Sequence, residues 1–278
     1  MHQLGRLNVG QIRAAVVKAG GDAGFWRDVI YRERVGSTND VARALAGRGA
    51  AEGIVVVADE QIAGRGRLDR RWIAPPRTGL LCSILFRPEL EPARVGLLTM
   101  LCSMAAADAV QRVAGLSVGV KWPNDLIVEL EPTGREPLGW RKLAGILTET
   151  GLIGDALAFA VVGIGINVNV PAQALPDLAP RATSILAETG QPVDRSLLLI
   201  ELLERVATRY ARLRDGEQLH GEWASRLTTL GRWVIVTTLD GQLAGRAEAV
   251  DPDGALLVRT DDGITHRLLT GDVAHLEV

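Results

Sequence analysis

The run from Ala156 to Asn167 is almost wholly apolar. A β-strand of that composition has nothing to offer water on either side, so it belongs in the middle of a sheet that is covered on both faces. Its second half, Val162-Gly163-Ile164-Gly165-Ile166-Asn167, places glycine at alternate positions. Glycines there let the strand run flush against a flat ligand or a neighbouring backbone. Further strands are expected at Ile54 to Ala58, Gly79 to Phe86, Val118 to Trp122, Leu126 to Glu129 and Leu143 to Thr148.

Helical periodicity is interleaved with these strands. One amphipathic helix is expected from about Asn8 to Lys18, with Ile12, Ala15, Val16 and Ala19 near one face and Gly20-Gly21 as its stop. A second follows the polar turn Gly36-Ser37-Thr38-Asn39-Asp40, a third runs from about Ala93 to Val113, and a fourth from about Asp194 to Leu213. The greasiest stretch, Val95 to Ala107, meets Asp108 well short of the roughly 20 residues a membrane span needs, so it reads as a buried helix. From Gly231 the character changes: short β-rich runs alternate with turns at Asp240-Gly241, Asp253-Gly254 and Asp262-Gly263, a hairpin signature that predicts a small β module. Alternating strands and helices give an α+β domain with a mixed sheet. The expected organisation is an N-terminal helical segment over 1–30, a main domain over 31–228 and a β module over 229–278. Residues 130–140, rich in Pro, Gly and charge, read as an exposed hairpin tip.

Composition narrows the function classes. The 31 basic and 33 acidic residues nearly balance, which argues against a surface built wholly for nucleic acid. Two cysteines, Cys82 and Cys102, both in apolar runs, offer neither a disulfide framework nor a zinc cluster and fit a reducing cytoplasm. No secretory signal or membrane span is read, and the first 30 residues are too few for a winged-helix DNA-binding domain. The histidines, His2, His220, His266 and His275, stand apart from the motifs below, and no zincin or nucleophile-elbow motif occurs, so no protein-held metal is expected.

Two motifs carry chemistry. Gly64-Arg65-Gly66-Arg67-Leu68-Asp69-Arg70-Arg71-Trp72 sets four guanidinium groups on a glycine-loosened backbone, an arrangement suited to phosphate, although short basic clusters are often only solvated. Arginine is the default cation of this chain; the only lysines are Lys18, Lys121 and Lys142. An ammonium is a compact point donor where guanidinium is a planar fork, so Lys121 and Lys142 mark places that can require it. The G-x-G of the central strand lacks the third glycine and the following helix of a dinucleotide fold, and a P-loop is absent, so any ATP is held differently. Ser37 and Thr38 are open to a helix-capping reading, and Lys121 and Asp125, flanking the Pro123-Asn124 turn, to a structural one.

Taken in order, Gly36-Ser37-Thr38-Asn39, Gln61 to Trp72, Lys121-Trp122-Pro123-Asn124-Asp125, Arg141 to Leu147 and Gly163 to Asn167 resemble the biotin protein ligases, over roughly residues 30 to 278. The resemblance implies a mixed sheet with helices on one face plus a C-terminal SH3-like β-barrel. It implies ATP-dependent formation of biotinyl-5′-AMP, with Mg²⁺ accompanying ATP, and transfer of biotin to a lysine of a biotin carboxyl carrier protein or carrier domain. It also implies a homodimer. On it, Arg65, Arg67 and Lys142 are the candidate catalytic cations. Ser37, Thr38, Asn39, Gln61, Gly64, Trp72, Gly145, Gly163 and Gly165 complete the biotin side, with Asn39 the weakest contact. Arg70, Arg71, Lys121, Asn124, Asp125 and Asn167 join Arg65 and Arg67 on the ATP side. The rivals are a lipoate or octanoate transferase on the same scaffold, whose acyl chain lacks a ureido head for Ser37, Thr38 and Gln61 to satisfy, and a nucleic-acid-binding module using the four arginines.

Overall fold

A computed structural model describes residues 5–20, 24–130, 139–239 and 241–275. The chain order is α1 (Val9–Gly20), β1 (Asp28–Val35), α2 (Thr38–Gly47), β2 (Ile54–Gln61), β3 (Gly79–Phe86), α3 (Gly96–Ala114), β4 (Gly119–Lys121), β5 (Asp125–Glu129), β6 (Trp140–Ile153), β7 (Ala156–Asn167), α4 (Ile185–Thr189), α5 (Arg195–Arg214), α6 (His220–Ala224) and β8 (Trp233–Thr238) to β12 (Asp272–His275), with β9 (Gly241–Val250), β10 (Leu256–Arg259) and β11 (Thr265–Leu268) between. β1 to β7 form one sheet in the order β1-β2-β3-β7-β6-β5-β4, with only β1 and β2 parallel, and β8 to β12 form a second, antiparallel sheet. The expected tip of the 130–140 hairpin, Asp240 of the first Asp-Gly turn and the side chain of Ala19 fall outside the described residues. At the other two such turns Gly254 and Gly263 hold φ of 84° and 82°, the left-handed backbone that glycine adopts without penalty.

β7 is central, as its composition requires, and its period of two sorts the molecule into two faces. Ala160, Val162, Ile164 and Ile166 turn into the main core, together with Val55 and Val57 of β2 and Ile84 and Phe86 of β3, under α1, α3 and α5. Val56, Leu85 and Val161 turn to the other face, where they meet Ala42 and Ala46 of α2. The helices expected on one face are α1, α3 and α5, and α2 lies apart from them. α2 covers part of the opposite face, and beyond Val161 the same side of β7 carries Gly163, Gly165 and Asn167. That uncovered half of the face is where a site can form.

α3 is a core helix: Leu97, Leu98, Met100, Leu101 and Met104 are buried, and the helix packs along α5. α1 is equally integral. Ile12 and Val16 enter the main core, and Phe25 and Trp26 after it stack among Phe86 and Tyr210 at centroid distances of 4.5 to 5.4 Å. The core also runs on into the C-terminal sheet through Val234, Val236, Val258 and Val273. At the junction the fully buried Trp122 donates its indole N–H to Gly254 O at 3.0 Å. β1 and β12 are the strands not anticipated: β1 is an edge strand whose Arg32, Glu33 and Arg34 face solvent, and the four residues of β12 are shaped by pairing with β8.

His275 of β12 is half-buried beside Lys121, Arg232 and Arg181. Burial first, and those cations second, push it down to about 4. Unfolded, it titrates at its ordinary value of 6.5, so between pH 6.5 and 4 the unfolded chain binds the extra proton. Stability conferred by the neutral ring is therefore complete above pH 6.5 and declines as the pH falls towards 4. Urea unfolding across that range should show this slope, and His275→Gln should flatten it; an unchanged slope would contradict the assignment.

Candidate active site

The uncovered half of the sheet holds a cavity of about 250 Å³ lined from β2, α2, the arginine loop, β5, β6 and β7, the 171–182 segment and Asp272 of the C-terminal sheet. Its floor is built from absences. A Cβ on Gly165 would lie 2.5 Å from Cε2 of Trp72, and one on Gly145, its register partner on β6, 3.0 Å from Cζ3 of the same ring. A Cβ on Gly163 would lie 2.3 Å from Oδ1 of Asn39. The glycines thus make room for an indole and an amide of this chain, where the sequence pointed to a ligand or another backbone.

At the β2 side the polar groups are neutral. Thr38 donates from its backbone N at 2.7 Å and its hydroxyl at 2.9 Å to Oε1 of Gln61, which leaves the Gln61 amide N–H₂ as the donor. The buried Ser83 hydroxyl lies 2.7 Å from Thr38 Oγ1 and 2.6 Å from Asn39 Oδ1. Asn39 completes its bonding by donating to Glu149 Oε2 at 2.7 Å. Ser37 occupies the N-cap position of α2, but its side chain makes no capping hydrogen bond, so the capping reading fails for it and the hydroxyl stays on the cavity wall.

The arginine loop is a small hairpin: Arg65 and Arg71 are bridged, Gly66 N donates to Arg70 O, and Trp72 N donates to Gly64 O. Its four guanidinium groups diverge. Arg65 is bound at both nitrogens by Asp40, at 2.8 and 2.7 Å, and again by Glu149 at 3.1 Å, and this holds the Asp40 carboxyl below its usual range. Arg70 pairs with Asp272, and Arg71 donates to Ile62 O at 3.3 Å. Arg67 turns inward, where it donates to Asn124 Oδ1 at 3.3 Å. Burial lowers its pKa, with Asp125 and Asp272 opposing the shift. Of the four, Arg67 is the one without a carboxylate within ion-pair distance that also lines the cavity from a largely buried position. A freely solvated basic stripe of the kind a nucleic-acid surface uses is not what this loop presents.

The remaining cations stand on the β5–β6 side. Lys142 Nζ is 2.7 Å from Asp125 Oδ1 and 5.8 Å from the Trp72 ring centroid. Lys121 is buried, its ammonium donating to Val273 O and lying 5.1 Å over the Trp140 ring, and burial lowers its pKa. Asn124 holds the turn by donating to Ile146 O at 2.8 Å. Asn167 donates to Thr183 O at 2.9 Å, while its Oδ1 and the Trp72 indole N–H are buried without a hydrogen-bond partner. Buried groups of that kind call for a partner that a ligand can supply. Cys82 also lines the cavity, but burial pushes its thiol up to about 12, so it is no nucleophile.

Comparison with known proteins matches residues 31–167 to the Biotin/lipoate A/B protein ligase family and residues 229–276 to the Biotin protein ligase C terminal domain. The biotin–[acetyl-CoA-carboxylase] ligase of Mycobacterium tuberculosis is 33% identical over 258 residues, spanning 90% of each chain. The chain belongs to the biotin protein ligase family. The bifunctional ligase/repressor BirA of Bacillus spizizenii is 34% identical over 85% of this chain and 70% of that protein. Among solved structures, the biotin protein ligase from Aquifex aeolicus in complex with biotin and ATP superposes with a TM-score of 0.72 at 26% identity, over 91% of this chain and 100% of that one.

As a biotin protein ligase the chain has site components its motifs did not announce. Leu178, Ala179 and Ala182 line the cavity from the segment that follows β7. Asp40, Ser83, Glu149 and Asp272 act as partners of the named residues, and they come from distant parts of the chain. The seating of Trp72 is directly testable. Gly165→Val should dislodge the indole and speed amide hydrogen exchange over residues 64–72 by at least about tenfold, as loss of local protection demands. Mass spectrometry showing exchange unchanged in that segment would contradict the packing.

Proposed function

We propose that this protein activates biotin with ATP as biotinyl-5′-AMP and transfers the biotinyl group to a lysine of a biotin carboxyl carrier protein or carrier domain. The observation that carries the reading is one cavity with unlike ends. Neutral polar groups stand at β2 and cations at β6, three strand spacings or about 14 Å away, with the Trp72 indole, seated on Gly145 and Gly165, between. The solved relative that superposes on this chain is a complex with biotin and ATP, and family members carry the names biotin protein ligase and biotin–[acetyl-CoA-carboxylase] ligase. The ureido head suits Ser37, Thr38 and the Gln61 amide. The valeryl chain suits the apolar face of the Trp72 indole, which Gly145 and Gly165 seat, while Gly163 seats the Asn39 amide.

In the first step a biotin carboxylate oxygen attacks the α-phosphorus of ATP, and the bond to the β-phosphate oxygen breaks to release pyrophosphate. Two anions must approach each other, so preorganised cations in a water-poor site are the main requirement. Arg67 and Lys142 fill it in this reading, and Lys142 leaves Asp125 to meet the phosphate. Arg65 contributes mainly as a clasp to α2 and β6, because Asp40 and Glu149 already neutralise it. Arg70, Arg71, Lys121 and Asn124 border the nucleotide, and the unpartnered Asn167 Oδ1 is an acceptor for the adenine amino group. In the second step a neutral carrier lysine amine attacks the acyl carbonyl, AMP departs with the electron pair, and the amide nitrogen loses its extra proton.

Mg²⁺ enters with ATP. Among the described residues no three His, Cys, Asp or Glu side chains come together as a metal cage. The ion would be held chiefly by substrate phosphates, with a carboxylate such as Asp125 at the cavity wall. We read the chain as divided into 1–30, 31–228 and 229–278, with α1 packed into the main core. A homodimer in the cytoplasm is the accompanying proposal.

A lipoate or octanoate ligase is the second reading. The Thr38–Gln61–Ser83 arrangement disfavours it, because a site made to hydrogen-bond a polar head discriminates against an acid that lacks one by roughly 10⁴-fold. In pyrophosphate-exchange assays with biotin, Arg67→Ala and Lys142→Ala should each lose at least about tenfold in rate, or about 1.4 kcal/mol of transition-state stabilisation. Rates like those of the unaltered protein in both variants would overturn the assignment of the two cations.

A further inference from the structure

Asp59 and Arg195 do not line the cavity, and the ligase chemistry does not use them. They nevertheless form the most deeply buried ion pair among the described residues, with side chains 1% and 2% exposed and Arg195 Nη2 2.6 Å from Asp59 Oδ1. Two charges survive such burial only if their remaining donors and acceptors are engaged, and an apolar pair of similar volume often serves stability as well. What this pair holds is therefore informative. Arg195 Nη1 donates to Gly79 O at 2.8 Å and Nη2 to Gly5 O at 2.9 Å. The Tyr31 hydroxyl donates to Asp59 Oδ2 at 2.8 Å, and Arg77 N donates to Asp59 O at 2.9 Å.

Apart from the bond to Gly5 O, which ties the N-terminal segment, these contacts converge on one object. Asp59 lies two residues before Gln61 at the end of β2, and Gly79 opens β3, so a single guanidinium bridges the two stems of the segment 62–78 that carries Arg65 to Trp72. The same end of β3 is in register with the cavity: Gly79 pairs with Asn167, and Asn169 N donates to Thr78 O. Arg195 itself is rigid, being the first residue of α5, which Asp194 caps by accepting from Ser196 N and Leu197 N.

We propose that Arg195 and Asp59 are positioning residues for the arginine loop. By fixing the separation of its stems where β2 ends and β3 begins, the pair sets the reach of the hairpin, and so the place of Arg67 and Trp72 in the cavity. The proposal rests on the ligase reading for its kinetic arm alone; its structural arm concerns the loop in the absence of substrates.

The test uses the full chain with Arg195→Lys, Tyr31→Phe and, as a matched control, Arg209→Lys. Arg209 lies on the same helix and is likewise buried and paired, with Asp108 at 2.6 Å and Glu222 at 2.7 Å, but far from the loop stems. Tryptic cleavage within 65–71 is measured without ligand, alongside the Tm and the kcat and KM for adenylate formation. Arg195→Lys should be cleaved in the loop at least about fivefold faster, and its KM for biotin and ATP should rise about tenfold with a smaller change in kcat, the pattern of lost binding geometry. Tyr31→Phe, which keeps both charges, should move the same readouts in the same direction by about two- to threefold. Arg209→Lys should lose comparable Tm and leave both readouts unchanged. Unchanged cleavage and KM in Arg195→Lys and Tyr31→Phe, or equal shifts in Arg209→Lys, would overturn the proposal. If Arg195→Lys fails to fold, Tyr31→Phe against the control decides the matter. If the unaltered protein makes no adenylate, the ligase reading fails while the cleavage comparison still judges this one.

Discussion

The contact on which the site depends is the indole of Trp72 lying on two glycines, Gly165 of the central strand and Gly145 beside it. Any side chain at Gly165 would have to displace the ring, because a Cβ there comes within 2.5 Å of it. With the ring seated, the arginine loop is drawn down over the sheet, Arg67 is carried inward, and Lys142 finds an aromatic neighbour beside its Asp125 partner. A sheet face that is otherwise featureless becomes a slot with a floor, a wall and cations at one end.

That slot exists because the two faces of the sheet are unequal. One is packed by α1, α3 and α5 through the large alternate residues of β2, β3 and β7, and the other is covered only where α2 crosses it. The charges follow the same economy. Arg65 is neutralised by Asp40 and Glu149, and Arg70 by Asp272, so half of the loop's four guanidinium groups hold the loop in place by ion pairs. The second sheet takes part through Asp272 and through the carbonyl of Val273 that receives Lys121.

Much of this was legible because it is local. The alternation of isoleucine and glycine through Gly163-Ile164-Gly165-Ile166 states which side of the strand is bare, and the lysine at 142 is marked by its rarity in the chain. The polar turns of the C-terminal module announce its hairpins. What stayed hidden are pairings made by tertiary folding: Arg70 meets Asp272 across 202 positions, Asn39 meets Glu149 across 110, and Arg195 meets Asp59 across 136. No local pattern signals them. The edge strand β1 was concealed by its own solvent-facing charges, and α2, though expected as a helix, could not be placed on a face because a helix's periodicity does not say which face of a sheet it will cover.

The reaction this cavity is built for is the joining of an acid bearing a polar bicyclic head to AMP. Its most direct measurement is the product formed from α-labelled ATP and Mg²⁺ by the purified protein with biotin, lipoate, octanoate or no acid. A labelled adenylate should form with biotin alone, and it should disappear with release of AMP when a carrier domain is added. An adenylate formed with lipoate or octanoate and not with biotin, or with none of the acids, would contradict the ligase reading.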